Sequence, residues 1–193
     1  MQVKAKKHLG QNFLTSFDVV NKTVKAAKIT NKDTVLEIGP GLGILTAQIA
    51  RIAKKVISIE LDTSIIPILK TNLSNTLSEK DLKKITILNE DALKFNPDPK
   101  NVGENYKIVA NIPYYITSPL ITHFLTSAHP PKSTTILVQK EVAVKICAQT
   151  AQFPKETHSI LSLATQLYAK PNFEFTVLAG SFSPAPKVDS AVI

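Results

Sequence analysis

At 193 residues and 21.1 kDa the chain is long enough to bury one substantial core and too short for two ordinary domains. Hydrophobic residues at 44%, charged residues at 20% and a mean hydropathy of +0.05 exclude an intrinsically disordered chain and one dominated by membrane spans. Lys and Arg number 23 against 15 Asp and Glu, and the net charge of +8 fits either a polyanionic partner, with nucleic acid the first candidate, or ordinary solubilising charge. All the cations but Arg51 are Lys, so phosphate contacts would be point charges sensitive to salt. The single cysteine, Cys147, leaves no intramolecular disulfide or Cys-rich zinc cluster and fits a reducing compartment. No apolar run reaches the roughly 18 residues of a membrane span. The basic start MQVKAKKHLGQNFL lacks the apolar segment of an export signal, so a cytoplasmic protein is expected.

Short runs rich in β-branched residues alternate with stretches of helical period, the pattern of a parallel sheet covered on both faces. The spacing predicts a helix from Phe17 to Ile29, with Val20, Val24 and Ala27 on one face and Thr15 with Asp18 as a capping-box-like start. A strand from Thr34 to Gly39 follows, and a glycine turn leads into a helix from Ile44 to Ala53. Next come a strand from Val56 to Glu60, a helix through Ile65 and Leu69, and a strand from Ile85 to Asn89. A polar loop from Asn96 to Asn105 precedes a strand from Lys107 to Asn111, after which Ser118 and Pro119 stand in N-cap and N1 order for another helix. Further strands are expected from Thr134 to Gln139, Phe173 to Leu178 and Val188 to Ile193, with helices around Glu141 to Ala148 and Ile160 to Ala169. Residues 1–193 thus form one α/β domain, without a repeat or linker, and the chain stops inside the last expected strand.

The turn Glu37-Ile38-Gly39-Pro40-Gly41-Leu42-Gly43 lies between a strand and a helix, where Gly39 and Gly41 let the backbone turn sharply and approach a nucleotide-like cofactor. The dinucleotide pattern G-x-G-x-x-G needs glycine where this chain has Ile44, which disfavours a pyrophosphate, and no Walker-type G-K-[ST] is present. The second strand ends in Glu60, about twenty residues beyond the glycines, where a carboxylate can accept both hydroxyls of a ribose. Asp91 follows the third strand at the same edge, placed to accept from an adenine amino group or to cap the turn. An adenosine cofactor without a pyrophosphate suggests S-adenosylmethionine.

After the fourth strand comes Asn111-Ile112-Pro113-Tyr114-Tyr115. Proline fixes an extended turn without an N–H, so carbonyls there can face a ligand. Asn111 Oδ1 and the carbonyl of Ile112 or Pro113 could hold both hydrogens of an adenine N6 while Tyr114 stacks on the base, and Tyr115 reads as a core aromatic. No strong general base is needed, because the nitrogen becomes very acidic once methylated. His8, His123, His129 and His158 have no ligand-like spacing, so no metal site is expected. Cys147 reads as a small core residue, and Lys54 and Lys55 as solvated charges. Lys4, Lys6 and Lys7 could clamp phosphate or form a solvated arm.

Taken together these residues resemble the small-subunit ribosomal RNA adenine dimethyltransferase family. The resemblance runs over essentially the whole chain, through His8-Leu9-Gly10-Gln11-Asn12-Phe13-Leu14, EIGPGLG, Glu60, Asn89-Glu90-Asp91, NIPYYITSP, Gln139-Lys140-Glu141-Val142-Ala143 and Phe182-Ser183-Pro184-Ala185-Pro186-Lys187-Val188-Asp189-Ser190. It implies a Rossmann-like class I methyltransferase fold, a mostly parallel seven-stranded sheet with an antiparallel last strand. It implies S-adenosylmethionine contacts from Asn12, Leu14, Gly39, Glu60, Asp91 and Asn111, and base recognition by Asn111, Pro113 and Tyr114 with Phe182 on the opposite face of the adenine. The expected activity is N6 dimethylation of two adjacent adenosines in a hairpin of small-subunit rRNA, by a monomer that acts in ribosome biogenesis. Macrolide-resistance enzymes acting on large-subunit rRNA share NIPYY, whereas the proline of GPGLG and the run after Phe182 look more like the small-subunit group. Members usually continue into a small helical domain, which is expected to be absent here, and many carry Tyr-Gly where this chain has His158-Ser159. A non-catalytic RNA-binding assembly factor and a nicotinamide-dependent oxidoreductase are the rival classes.

Overall fold

Strands that are apolar on both faces are stable only where both faces are covered. In the computed structural model, which describes residues 5, 6 and 9–193, the central strands are covered in this way. Lys4, Lys7 and His8, on which expectations were placed, lie outside the described residues. The elements in chain order are β1 (Phe13–Leu14), α1 (Phe17–Ala26), β2 (Thr34–Ile38), α2 (Ile44–Ile52), β3 (Lys55–Glu60) and α3 (Ile66–Thr76). Then come α4 (Glu79–Leu82), β4 (Ile85–Asn89), α5 (Pro99–Val102), β5 (Tyr106–Asn111), α6 (Thr117–Leu125) and β6 (Ser133–Gln139). The last are α7 (Lys140–Ile146), α8 (Ile160–Tyr168), β7 (Phe175–Val177), β8 (Phe182–Ser183) and β9 (Ser190–Val192).

Seven strands form one sheet in the order β4-β3-β2-β5-β6-β9-β7. The pairs from β4 through β6 are parallel, and β9 runs antiparallel to both β6 and β7. Alternate residues serve opposite faces. Leu36, Ile38, Ile57, Ile59, Ile108 and Ile136 pack with Leu120 and Phe124 of α6 and Ile146 of α7. Val35, Val56, Val109, Leu137 and Val192 pack with Val20 and Val24 of α1 and Leu45 and Ile49 of α2. From β2 the chain winds outward to β3 and β4, then returns to β5 on the other side, and such a reversal opens a crevice at the carboxyl ends of the strands.

The ends of elements differ from expectation where hydrogen bonds override pattern. Ser16, not Thr15, caps α1 by accepting from the Val19 N–H, while the Thr15 N–H and hydroxyl both donate to the Ser181 carbonyl. A 3-10 turn over Tyr114–Ile116 precedes α6, so Ser118 and Pro119 lie inside its first turn and are not its cap. The polar loop contains α5, closed by a reciprocal Asp98 and Asn101 capping box. Ser159 caps α8 through the Ser162 N–H, and His158 Nδ1 bonds Ser162 Oγ at 2.7 Å. Lys107 is buried: its Nζ lies 3.0 Å from Asp33 Oδ2 and donates to the carbonyls of Ala27 and Lys28, tying the end of α1 to β5. Cys147 is fully buried, and burial pushes the thiol up to about 11.

Candidate active site

The glycine turn brings the ends of β2 and β5 together. Gly39 adopts φ +70°, and a Cβ there would stand 3.2 Å from the Asn111 carbonyl oxygen, so only glycine allows this approach without strain. Gly41, at φ +55°, lies against the Phe13 ring, 3.1 Å from where its own Cβ would be. Beneath the turn, Glu37 is fully buried on the face covered by α1 and α2, where Ser58 Oγ donates to its Oε2 at 2.7 Å. Burial pushes the Glu37 carboxyl up to about 7. The hydroxyls of Ser58 and of Thr46, the latter near it but outside hydrogen-bond geometry, pull the other way.

Glu60 ends β3 inside the crevice. Its Oε1 accepts the Asp62 N–H at 2.8 Å and its Oε2 the Gly41 N–H at 3.4 Å, so two main-chain donors fix the carboxylate plane. Burial raises its pKa, and those hydrogen bonds work against the shift. Asp91 lines the same crevice after β4, with Oδ1 accepting the Leu93 N–H at 3.0 Å.

Residues 9–14 form another wall. Asn12 turns its side-chain amide onto the Gly10 carbonyl, and its own carbonyl accepts Asn111 Nδ2 at 3.3 Å. A carbonyl can only accept, so this bond turns the Asn111 amide until Oδ1, a pure acceptor, is the end left for a ligand. Leu14 is buried and pairs in β1 with Phe182 of β8, making a small two-stranded sheet. The Phe182 ring, 5% exposed, therefore packs in the core as a wall of the crevice. Pro113 turns the chain into the 3-10 segment, and the Ile116 N–H donates to its carbonyl at 3.2 Å. The Tyr114 hydroxyl bonds Ser190 Oγ of β9 at 2.8 Å, and burial raises its pKa.

The crevice encloses about 240 Å³, and every residue assigned from the sequence lines it: Asn12, Leu14, Gly39, Gly41, Glu60, Asp91, Asn111, Pro113, Tyr114 and Phe182. Tyr115 corrects the core reading: it is 58% exposed, with its ring over Gly10. Sequence reasoning missed Asp62 and Ser190, whose partners lie far off along the chain. The Glu-Leu-Asp run at the end of β3 and the Asp-Ser closing the last motif were the available signals. Among the described residues no three His, Cys, Asp or Glu gather as metal ligands, and His123 and His129 bond the carbonyls of Phe95 and Gly103.

A model of the family described as ribosomal RNA adenine dimethylase matches residues 2–193. This chain belongs to that family. The family's small-subunit enzymes include similar sequences. Ribosomal RNA small subunit methyltransferase A of Latilactobacillus sakei is 41% identical over 98% of this chain and 63% of its own length. The protein of the same name from Clostridium botulinum is 42% identical over 100% of this chain and 67% of its own. The chain thus spans a little under or about two thirds of these curated relatives. Among solved structures, a dimethyladenosine transferase from Plasmodium falciparum has a TM-score of 0.77 at 31% identity, covering 93% of this chain and 61% of that one. The 23S rRNA methyltransferase ErmE has a TM-score of 0.75 at 30% identity, covering 94% and 68%. The family fold, a class I methyltransferase sheet with its last strand antiparallel, is the fold described above.

Proposed function

We propose that this chain is the S-adenosylmethionine-binding methyltransferase domain of an enzyme that dimethylates N6 of two adjacent adenosines in a hairpin of small-subunit rRNA, in the cytoplasm. The observation that carries the reading is the orientation of Asn111: with Nδ2 given to the Asn12 carbonyl, Oδ1 is the atom left for an exocyclic amine. The residues present suit the cofactor. Glu60, held by two main-chain donors, suits ribose hydroxyls, Asp91 suits an adenine amino group, and Gly39 and Gly41 admit close backbone approach. Asn12 and Leu14 close the same space.

When bound, S-adenosylmethionine supplies a methyl group on a sulfonium, an electrophile that needs no further activation. The protein's task is to hold the amine. Asn111 Oδ1 accepts one N6 hydrogen, and the carbonyl of Ile112 or of Pro113, the latter also accepting the Ile116 N–H, supplies the second acceptor. Those two acceptors align the nitrogen lone pair and accommodate its growing acidity. Tyr114 and Phe182 flank the extruded base, and the excess of lysine supports binding of the RNA backbone. The small-subunit assignment rests on relatives at 40–42% identity, since the large-subunit enzyme superposes nearly as well as the dimethyladenosine transferase.

Transfer of labelled methyl groups to immature small subunits, compared with large subunits, tests this. The wild-type chain should label small subunits. Asn111→Ala should bind S-adenosylhomocysteine normally and lose labelling by about 100-fold, as for lost transition-state hydrogen bonds. RNA retention without label would replace the reading with that of a binding factor, and label on large subunits alone would replace the substrate.

A further inference from the structure

Residues 9–14 wall the crevice and are fastened at two points by different means. At one end Phe13 and Leu14 pair with Ser183 and Phe182 and are buried. At the other end the fastening is one carboxylate. Lys6 Nζ donates to Asp62 Oδ1 at 2.6 Å, and Gln11 Nε2 donates to Asp62 Oδ2 at 2.9 Å. The Lys6 N–H donates to Gln11 Oε1 at 2.8 Å, so residues 6 and 11 are tied to each other as well as to Asp62. Ser64 adds its N–H at 3.0 Å and its hydroxyl at 2.6 Å, both to Oδ1.

The Asp62 side chain is 3% exposed. Burial alone would raise its pKa, but the hydrogen bonds from Lys6, Ser64 and Gln11 outweigh it and hold the carboxyl well below the usual range. The main chain of Asp62 also serves the crevice lining, since its N–H fixes Glu60 Oε1. One residue therefore joins the carboxylate suited to the ribose to the segment whose Asn12 carbonyl sets the Asn111 amide.

We propose that Asp62 is a positioning residue, a clasp that holds the 9–14 segment over the cofactor and, through Asn12, keeps Asn111 Oδ1 facing the substrate amine. The proposal rests on the reading of the crevice as an S-adenosylmethionine site. Unclasped, the segment keeps its β1 end, but the Asn12 carbonyl is free to leave Asn111. The amide can then rotate and offer a donor to an amine that needs acceptors. Asp62→Asn replaces one acceptor oxygen with a donor nitrogen in a cluster of donors. Lys6→Met removes one arm from the exposed side, where Lys6 is 39% exposed, and gives the milder version.

Both variants of the full chain are compared with wild type by hydrogen exchange of the amides in 9–14, by S-adenosylhomocysteine affinity, and by turnover at saturating cofactor. Asp62→Asn should speed exchange in 9–14 while leaving that of β2 and β5 unchanged. It should weaken S-adenosylhomocysteine on the order of tenfold, as expected for lost charge-assisted bonds. Turnover should fall even at saturating cofactor. Lys6→Met should move each quantity the same way by less, and in an Asn111→Ala background Asp62→Asn should leave the residual turnover unchanged. Wild-type affinity and turnover in Asp62→Asn would overturn the clasp alone, whether or not exchange quickens. Failure of the wild-type chain to bind S-adenosylhomocysteine would overturn the underlying reading and the clasp with it.

Discussion

The two halves of the crevice are built differently. The half proposed for the cofactor, at the ends of β2, β3 and β4, is held from the sheet itself: Glu60 is gripped by N–H groups at positions 41 and 62, and the glycine turn fits directly onto β5. The half proposed for the target base is held by distant segments, because Asn111 is bonded to Asn12 and Tyr114 to Ser190. The parallel sheet and its glycine turn thus fix Glu60 by themselves, whereas the orientations of Asn111 and Tyr114 need the 9–14 segment and β9 folded against the sheet. Away from Asp62, which is bonded toward both halves, cofactor affinity and turnover should accordingly respond to different substitutions.

Glu60→Ala should produce the largest change. Loss of a fixed carboxylate proposed to accept two hydroxyls should weaken S-adenosylhomocysteine by roughly 100-fold, given about 1.5–3 kcal/mol for each charge-assisted bond and partial replacement by water. Isothermal titration calorimetry checks it, and wild-type affinity would remove the distinction between the halves.

Glu37 gives a pH test of the cofactor half. Its folded pKa of about 7 lies above the ordinary 4.5, so the folded state holds the proton more tightly. The stability this contributes is full below pH 4.5, declines as pH rises toward about 7, and is flat above it, a loss of about 3 kcal/mol. Glu37→Gln should remove this slope and be more stable than wild type at pH 8 by about 2 kcal/mol, after allowing for one amide hydrogen without an acceptor. Urea unfolding at pH 5 and pH 8 measures both.

The smallest effect sharpens the base half. Tyr114→Phe and Ser190→Ala each remove the same bond, worth about 1 kcal/mol, and should lower turnover several-fold with cofactor affinity intact. The double variant should be no worse than either single one, and additive losses would show that the bond does not position the ring.

Most of the sheet was legible because apolar strands of five or more residues carry a strong pattern, and Glu60, Asp91 and Asn111 could be placed at their ends. The paired β1 and β8 were not legible, since strands of two residues have no periodicity. Lys107 reads as one more exposed lysine until Asp33 and the end of α1 are seen around it. Tyr115 reads as core beside Tyr114, yet the 3-10 turn sends the neighbouring rings in different directions. Asp62 stayed hidden because Gln11 bonds it across a separation of 51 residues.

If an adenosine cofactor lies against Glu60 while Asn12 turns the Asn111 amide, a crystal structure with S-adenosylhomocysteine should show ribose hydroxyls on the Glu60 carboxylate, with Asn111 Nδ2 still bonded to the Asn12 carbonyl and Oδ1 open toward the homocysteine sulfur. Ligand density elsewhere, or an Asn111 side chain parted from Asn12 and pointing out of the crevice, would contradict it.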